Sequence, residues 1–198
     1  MSTLIKSIKE VLYDTWPMIL LSSVVLIALR LAYLIKNKEK IIISKEIMSL
    51  TFVVYILCMF QIVTSQDVSS VHGVNITLFK ELTRYQIGTK LFYRNIIGNI
   101  IMFVPFGFFT SYYLKLNRKS FIFFLTLIVS LVIETIQLKI GRAFDVDDII
   151  LNMVGSLCGY FIYRLVDNAF GDLSDTVKGT LTIVAVLTTI VILTIIII

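Results

Sequence analysis

Long apolar runs separated by short charged clusters set the pattern of this chain. A helix crosses a hydrocarbon core with about 20 predominantly apolar residues. Six runs approach that length: Trp16 to Ile35, Ile47 to Thr64, Asn95 to Leu114, Phe121 to Leu138, Ile149 to Leu165 and Gly179 to Ile198. The pattern predicts an all-α fold, a polytopic transmembrane helical bundle. The first run is too long for a signal peptide, follows Asp14 and lacks a small-residue cleavage site, so it reads as an anchor. Ahead of it, Leu4, Ile5, Ile8, Val11 and Leu12 recur at helical spacing opposite Lys6, Lys9 and Glu10. Either a short amphipathic helix in the membrane interface or a frayed terminus accounts for them. The expected organisation is an amphipathic segment over 1–15, two N-terminal spans over 16–64 and an extracytoplasmic loop over 65–94. A three-helix core over 95–165, a cytoplasmic linker over 166–178 and a last span over 179–198 complete it.

Composition agrees with the pattern. Hydrophobic residues make up 58% of the 198 and charged residues 16%, proportions foreign to soluble domains. A mean hydropathy of +0.93 excludes a disordered tail and a nucleic-acid-binding domain, both of which need dense charge. The net charge of +5 then matters through where the cations lie, because Lys and Arg in short connections mark the cytoplasmic side. Lys36, Lys38, Lys40 and Lys45 follow the first run, Lys115, Arg118 and Lys119 the third, and Arg164 with Lys178 the fifth. Those connections are expected in the cytoplasm. The N-terminal stretch, the segment from Ser65 to Arg94 and the turn from Lys139 to Asp148 are expected outside.

An ionisable or amide side chain inside an apolar span is by default a functional hypothesis. Asn95 and Asn99 are four apart on the third span. Ser130, Glu134 and Gln137 form one stripe on the fourth, and Asp148, Asn152, Gly155 and Gly159 form one on the fifth. The turn from Gly141 to Asp148 adds Arg142, Asp145 and Asp147 above these stripes. Burying Glu134 as a bare charge costs several kcal/mol, so it is expected to be protonated, paired with Arg142 or open to a water-filled cleft. Taken singly, Asn95 and Ser130 are accounted for by hydrogen-bond glue between helices. Glu134, Arg142, Asp145 and Asp148 together read as a site.

Other signals are weaker. Cys58 and Cys158 lie within spans, far from any metal-binding spacing, and read as packing residues. His72 is the only histidine and reads as a surface residue rather than a zinc ligand. The Asn75-Ile76-Thr77 sequon carries meaning only in a eukaryotic secretory context. Arg30 lies six residues before Lys36 and is expected to snorkel to the interface. Pro105 removes a helical hydrogen bond to Ile101 and predicts a kink. Gly155 and Gly159 permit close helix approach, read here as packing within the bundle.

The run from Asn95 to Gly107, with Ser130, Glu134, Gln137, Arg142, Asp145, Asp147, Asp148, Asn152, Gly155 and Gly159, resembles the VanZ-like family of bacterial membrane proteins. Upstream, Asn75-Ile76-Thr77-Leu78-Phe79 is similar to the family's Asn-Leu-x-Pro-Phe segment, with Leu78 where proline is usual. The resemblance covers roughly Asn75 to Arg164. It implies a multi-pass protein of the bacterial plasma membrane with a cell-envelope role at the outer leaflet. The founding member is associated with low-level resistance to the glycopeptide teicoplanin, although many relatives occur with no resistance cluster.

Two classes of function follow, ahead of a third reading in which the polar residues are a purely structural network. The first is a non-enzymatic envelope protein that lowers susceptibility to teicoplanin-type lipoglycopeptides. The second is a membrane-embedded enzyme or carrier acting on a lipid-linked anionic substrate. In the second, Glu134, Arg142 and Asp148 form the catalytic group, and Asn95, Asn99, Ser130, Gln137, Asp145, Asp147 and Asn152 contact the ligand. No cofactor is implied. If Asp145, Asp147 and Asp148 held a divalent cation, carboxylates without histidine would suit Mg or Ca better than zinc. The expected partners are membrane lipids and either a lipid-linked precursor or a lipoglycopeptide, with no nucleic acid.

Overall fold

The computed structural model of the chain describes residues 2–38, 41–65, 73–89 and 92–170. The chain divides into two compact units, residues 1–65 with 170–198 and residues 66–169. Five helices among the described residues are long and apolar enough to cross a membrane, over Trp16–Asn37, Ile43–Thr64, Asn95–Leu114, Lys119–Lys139 and Val146–Ala169. These are the first five expected spans, the third with the same bounds and the other four lengthened at their polar ends. The sixth, Gly179 to Ile198, lies outside the described residues, as do His72 and Lys178.

The first unit holds α1 (Ser2–Asn37) and α2 (Ile43–Ser65). The N-terminal stretch runs into the first span as one continuous helix rather than forming a separate element. Arg30 does not simply snorkel. Its Nε donates to Glu46 Oε2 at 2.9 Å and its Nη2 to Oε1 at 3.1 Å. The guanidinium fork matches the two carboxylate oxygens, and the pair ties α1 to the first turn of α2.

The second unit holds the elements that build the polar cluster. After β1 (Val74–Asn75) and the short α3 (Lys80–Arg84), a π-helical turn over Tyr93–Ile97 leads into α4 (Gly98–Leu114). Then come α5 (Lys119–Lys139), β2 (Phe144–Asp145) and α6 (Val146–Phe170). Helix α4 continues through Pro105. Both of its neighbours end or begin with specific chemistry. Gly141, at φ 90°, closes α5, and Arg142 N–H reaches back to the Gln137 carbonyl at 2.9 Å. This left-handed glycine cap folds Arg142 over the last turn. Asp145 starts α6 as an N-cap, its Oδ1 accepting the Asp147 N–H at 2.8 Å. Asp147 and Asp148 then lie in the first turn, where the helix dipole favours negative charge.

Helices α4 and α6 meet backbone to backbone. A Cβ on Gly155 would collide with the Ile100 carbonyl, one on Gly159 with the Val104 carbonyl, and one on Gly107 with the Ser156 carbonyl. The small-residue spacing thus serves packing within the bundle, as expected. Phe103, Phe108 and Phe109 of α4 are buried, and the Phe108 ring meets that of Tyr163 on α6 edge to face. Cys158, read as a packing residue, is instead exposed. It is two residues from Ser156, about 200° around the helix, and so faces away from the buried stripe.

Candidate functional site

The polar residues converge at one end of the α4–α5–α6 bundle. Glu134 is 1% exposed and both of its oxygens are engaged. Oε2 accepts the backbone N–H of Asp145 at 3.0 Å. With the Gln137 amide set to satisfy both neighbours, its nitrogen donates to Glu134 Oε1 at 3.0 Å and its oxygen accepts from Arg142 Nη1 at 2.7 Å. The direct Glu134–Arg142 pair is therefore replaced by a relay through Gln137. Glu134 is closed off rather than open to a cleft, and the cap at Gly141 brings Arg142 to Gln137.

The three aspartates each take a separate task. Asp145 caps α6 and its Oδ2 accepts from Asn75 Nδ2 at 2.9 Å. Asp147, fully buried, accepts the Phe79 N–H at 2.7 Å. Asp148 accepts from the Asn99 side-chain amide, linking α6 to α4. Among the described residues, no group of three or more His, Cys, Asp or Glu side chains is placed to hold a metal ion. Both Asp145 oxygens, Asp147 Oδ1 and Asp148 Oδ1 accept from amide donors.

Below this layer the polar stripe descends between α5 and α6. Asn152 Nδ2 donates to Ser130 Oγ at 2.8 Å, and one turn further Thr126 Oγ1 and Ser156 Oγ lie 2.6 Å apart. Asn152 Oδ1 is buried without a hydrogen-bond partner, the one loose end of this part of the network among the described residues. At the opposite end of the bundle, Tyr160 and Arg164 both donate to Asn117. Of the sequence candidates, Asn99, Ser130, Glu134, Gln137, Arg142, Asp145, Asp147, Asp148 and Asn152 are brought into this end of the bundle. Asn95 is not bonded to them; it sits one turn before Asn99, in the π-helical stretch.

Residues outside the candidate site list complete the arrangement. Asn75 and the Phe79 backbone reach the site because β1 pairs with β2 in parallel, Val74 beside Phe144 and Asn75 beside Asp145. Phe79 adopts a left-handed conformation, φ 64°, which costs an aromatic residue about 1 kcal/mol and is held by the bond to Asp147. Thr126 and Ser156 were discoverable by extending the i, i+4 spacing one further turn from Ser130 and Asn152.

A helical bundle whose inward faces carry amides and carboxylates and whose outward faces are apolar defines an integral membrane protein. The profile of the VanZ/LLP1 family matches residues 47–167, more than half of the chain and all of the elements that build this cluster. The chain belongs to the VanZ/LLP1 family. No curated protein and no solved structure matches it.

Proposed function

We propose that this VanZ-like protein is a non-enzymatic component of the bacterial cell envelope that engages a lipid-anchored anionic molecule at the outer leaflet. Through that contact it lowers susceptibility to teicoplanin-type lipoglycopeptides. One observation carries the reading. Glu134, Asp145, Asp147 and Asp148 each accept a hydrogen bond that holds this end of the bundle together, whereas the half-buried Arg142 donates to Gln137. A general acid or base needs a proton-transfer partner within reach of substrate; Glu134 faces Gln137 and the Asp145 N–H instead. A guanidinium carries five N–H donors, and Arg142 spends one on Gln137. Its fork suits a phosphate or carboxylate near the lipid headgroups.

The test is expression in a teicoplanin-susceptible bacterium. The wild-type chain is expected to raise the inhibitory concentration of teicoplanin more than that of a glycopeptide without an acyl chain. Arg142→Lys, present at the same level in the membrane, is expected to lose the difference. Unchanged teicoplanin sensitivity together with altered levels of a lipid-linked precursor would overturn this reading in favour of an enzyme or carrier.

A further inference from the structure

The segment that follows β1 and runs to just beyond α3, residues 76–87, has side chains of an unexpected kind for a loop. Ile76 is 73% exposed and Ile87 86%, and Leu78 and Phe79 are exposed as well. Lys80 and Arg84, four apart and hence on one side of α3, are exposed beside them. Over residues 73–94 the sequence holds four cations, Lys80, Arg84, Lys90 and Arg94, against the single acid Glu81. Such a stretch in water would leave its apolar groups unburied at a cost of about 25 cal/mol per Å².

Its first part is tied to the start of α6. The Phe144 N–H donates to the Gly73 carbonyl at 3.0 Å, β1 pairs with β2, Asn75 bonds Asp145, and the Phe79 N–H bonds Asp147. All these anchors lie at or just before the first turn of α6, one of the helices long and apolar enough to cross a membrane. The start of such a helix lies at the boundary between hydrocarbon and headgroups. The segment is thus fastened at that boundary, with apolar side chains for the acyl edge and cations for anionic headgroups.

We infer that residues 76–87 are a membrane-surface anchor, inserted in the interfacial layer of the bilayer beside the polar end of the bundle. The occupant of the exposed apolar face is the lipid itself. This combination of apolar side chains and Lys/Arg is what binds interfacial segments to anionic lipid. The inference depends on the membrane class of the protein and not on any ligand of Arg142.

Trp16 is the only tryptophan, so Trp16→Phe gives a silent background for the full-length chain. Ile76→Trp and Ile87→Trp, introduced separately, report the segment at two points where an aromatic has room. Each variant is reconstituted into phosphatidylglycerol–phosphatidylcholine vesicles carrying lipids brominated near the headgroup or deep in the chain. Stronger quenching by the shallow bromines, with loss of quenching by aqueous acrylamide, is expected at both positions. Replacing phosphatidylglycerol by phosphatidylcholine is expected to weaken the bromolipid quenching. Full acrylamide access with no bromolipid quenching would overturn the inference, and so would stronger quenching by the deep bromines. Quenching indifferent to phosphatidylglycerol would overturn the role given to the cations.

Discussion

Exchanging Glu134 for glutamine tests the site through the parity of its donors and acceptors. Two groups that only donate, the Arg142 guanidinium and the Asp145 N–H, stand at the ends of a chain whose middle is Gln137 and Glu134. A carboxylate at 134 accepts from both sides and closes the chain. A glutamine there has one accepting and one donating end. If its oxygen keeps the Asp145 N–H, its nitrogen faces Gln137. Gln137 must then turn its oxygen inward and its own nitrogen toward Arg142, donor against donor. No arrangement of the two amides satisfies both ends. Arg142 is half-buried and can turn toward water, so the loss amounts to one hydrogen bond to a charged group, about 2 kcal/mol. Moving the acid along the chain repairs the count: with Glu134→Gln and Gln137→Glu together, residue 137 accepts from both Arg142 and residue 134, while the new glutamine oxygen keeps the Asp145 N–H. Detergent-solubilised protein titrated with SDS and followed by circular dichroism supplies the double-mutant cycle. Glu134→Gln is expected to lose about 2 kcal/mol, Gln137→Glu to lose stability through two facing carboxylates, and the double exchange to recover more than half of the Glu134→Gln loss. Wild-type stability in Glu134→Gln, or a double variant no better than the sum of the singles, would refute the relay.

Gly155→Ala is expected to force α4 and α6 apart at the Ile100 carbonyl and to cost about 1–3 kcal/mol in the same titration; a neutral effect would show that the helices do not pack through their backbones. Single cysteines at Lys115 and Lys139, in a chain with Cys58 and Cys158 replaced, are expected to react with an impermeant thiol reagent from opposite sides of the membrane. Only Lys139 should label in intact cells, and the reverse labelling would invert the proposed orientation.

How far the sequence reached depended on the range of the signal. The stripes on α5 and α6 were legible because side chains at i and i+4 must share a face: Ser130, Glu134 and Asn152 are buried in one bundle, and Asp148 accepts from Asn99 across it. The acidic turn reads in the sequence as a group of ligand residues; Asp145-Val146-Asp147-Asp148 is also a helix start, which the capping preference of aspartate signals. Gln137 between Glu134 and Arg142 could not be foreseen from charge alone, which favours the direct pair; the glycine cap of α5 decides otherwise. Arg30 and Glu46 lie 16 residues apart on two helices, a separation at which no periodicity operates. The same holds for Asn75 and Asp145, whose neighbouring backbones pair across α3, α4 and α5.

That last pairing has a consequence for how the protein is made. Asn75 emerges from the ribosome 70 residues before Asp145, a delay of roughly 4–14 s at translation rates of about 5–20 residues per second. Throughout that interval β1 has no strand to join, Phe79 has no Asp147 to hold its left-handed backbone, and Ile76 and Leu78 must wait at the membrane surface. A nascent chain arrested at Ala143 would already contain α1 to α5, yet it would lack β2 and the start of α6. The earliest part of the site is thus assembled last, by the arrival of four consecutive residues, Asp145 to Asp148.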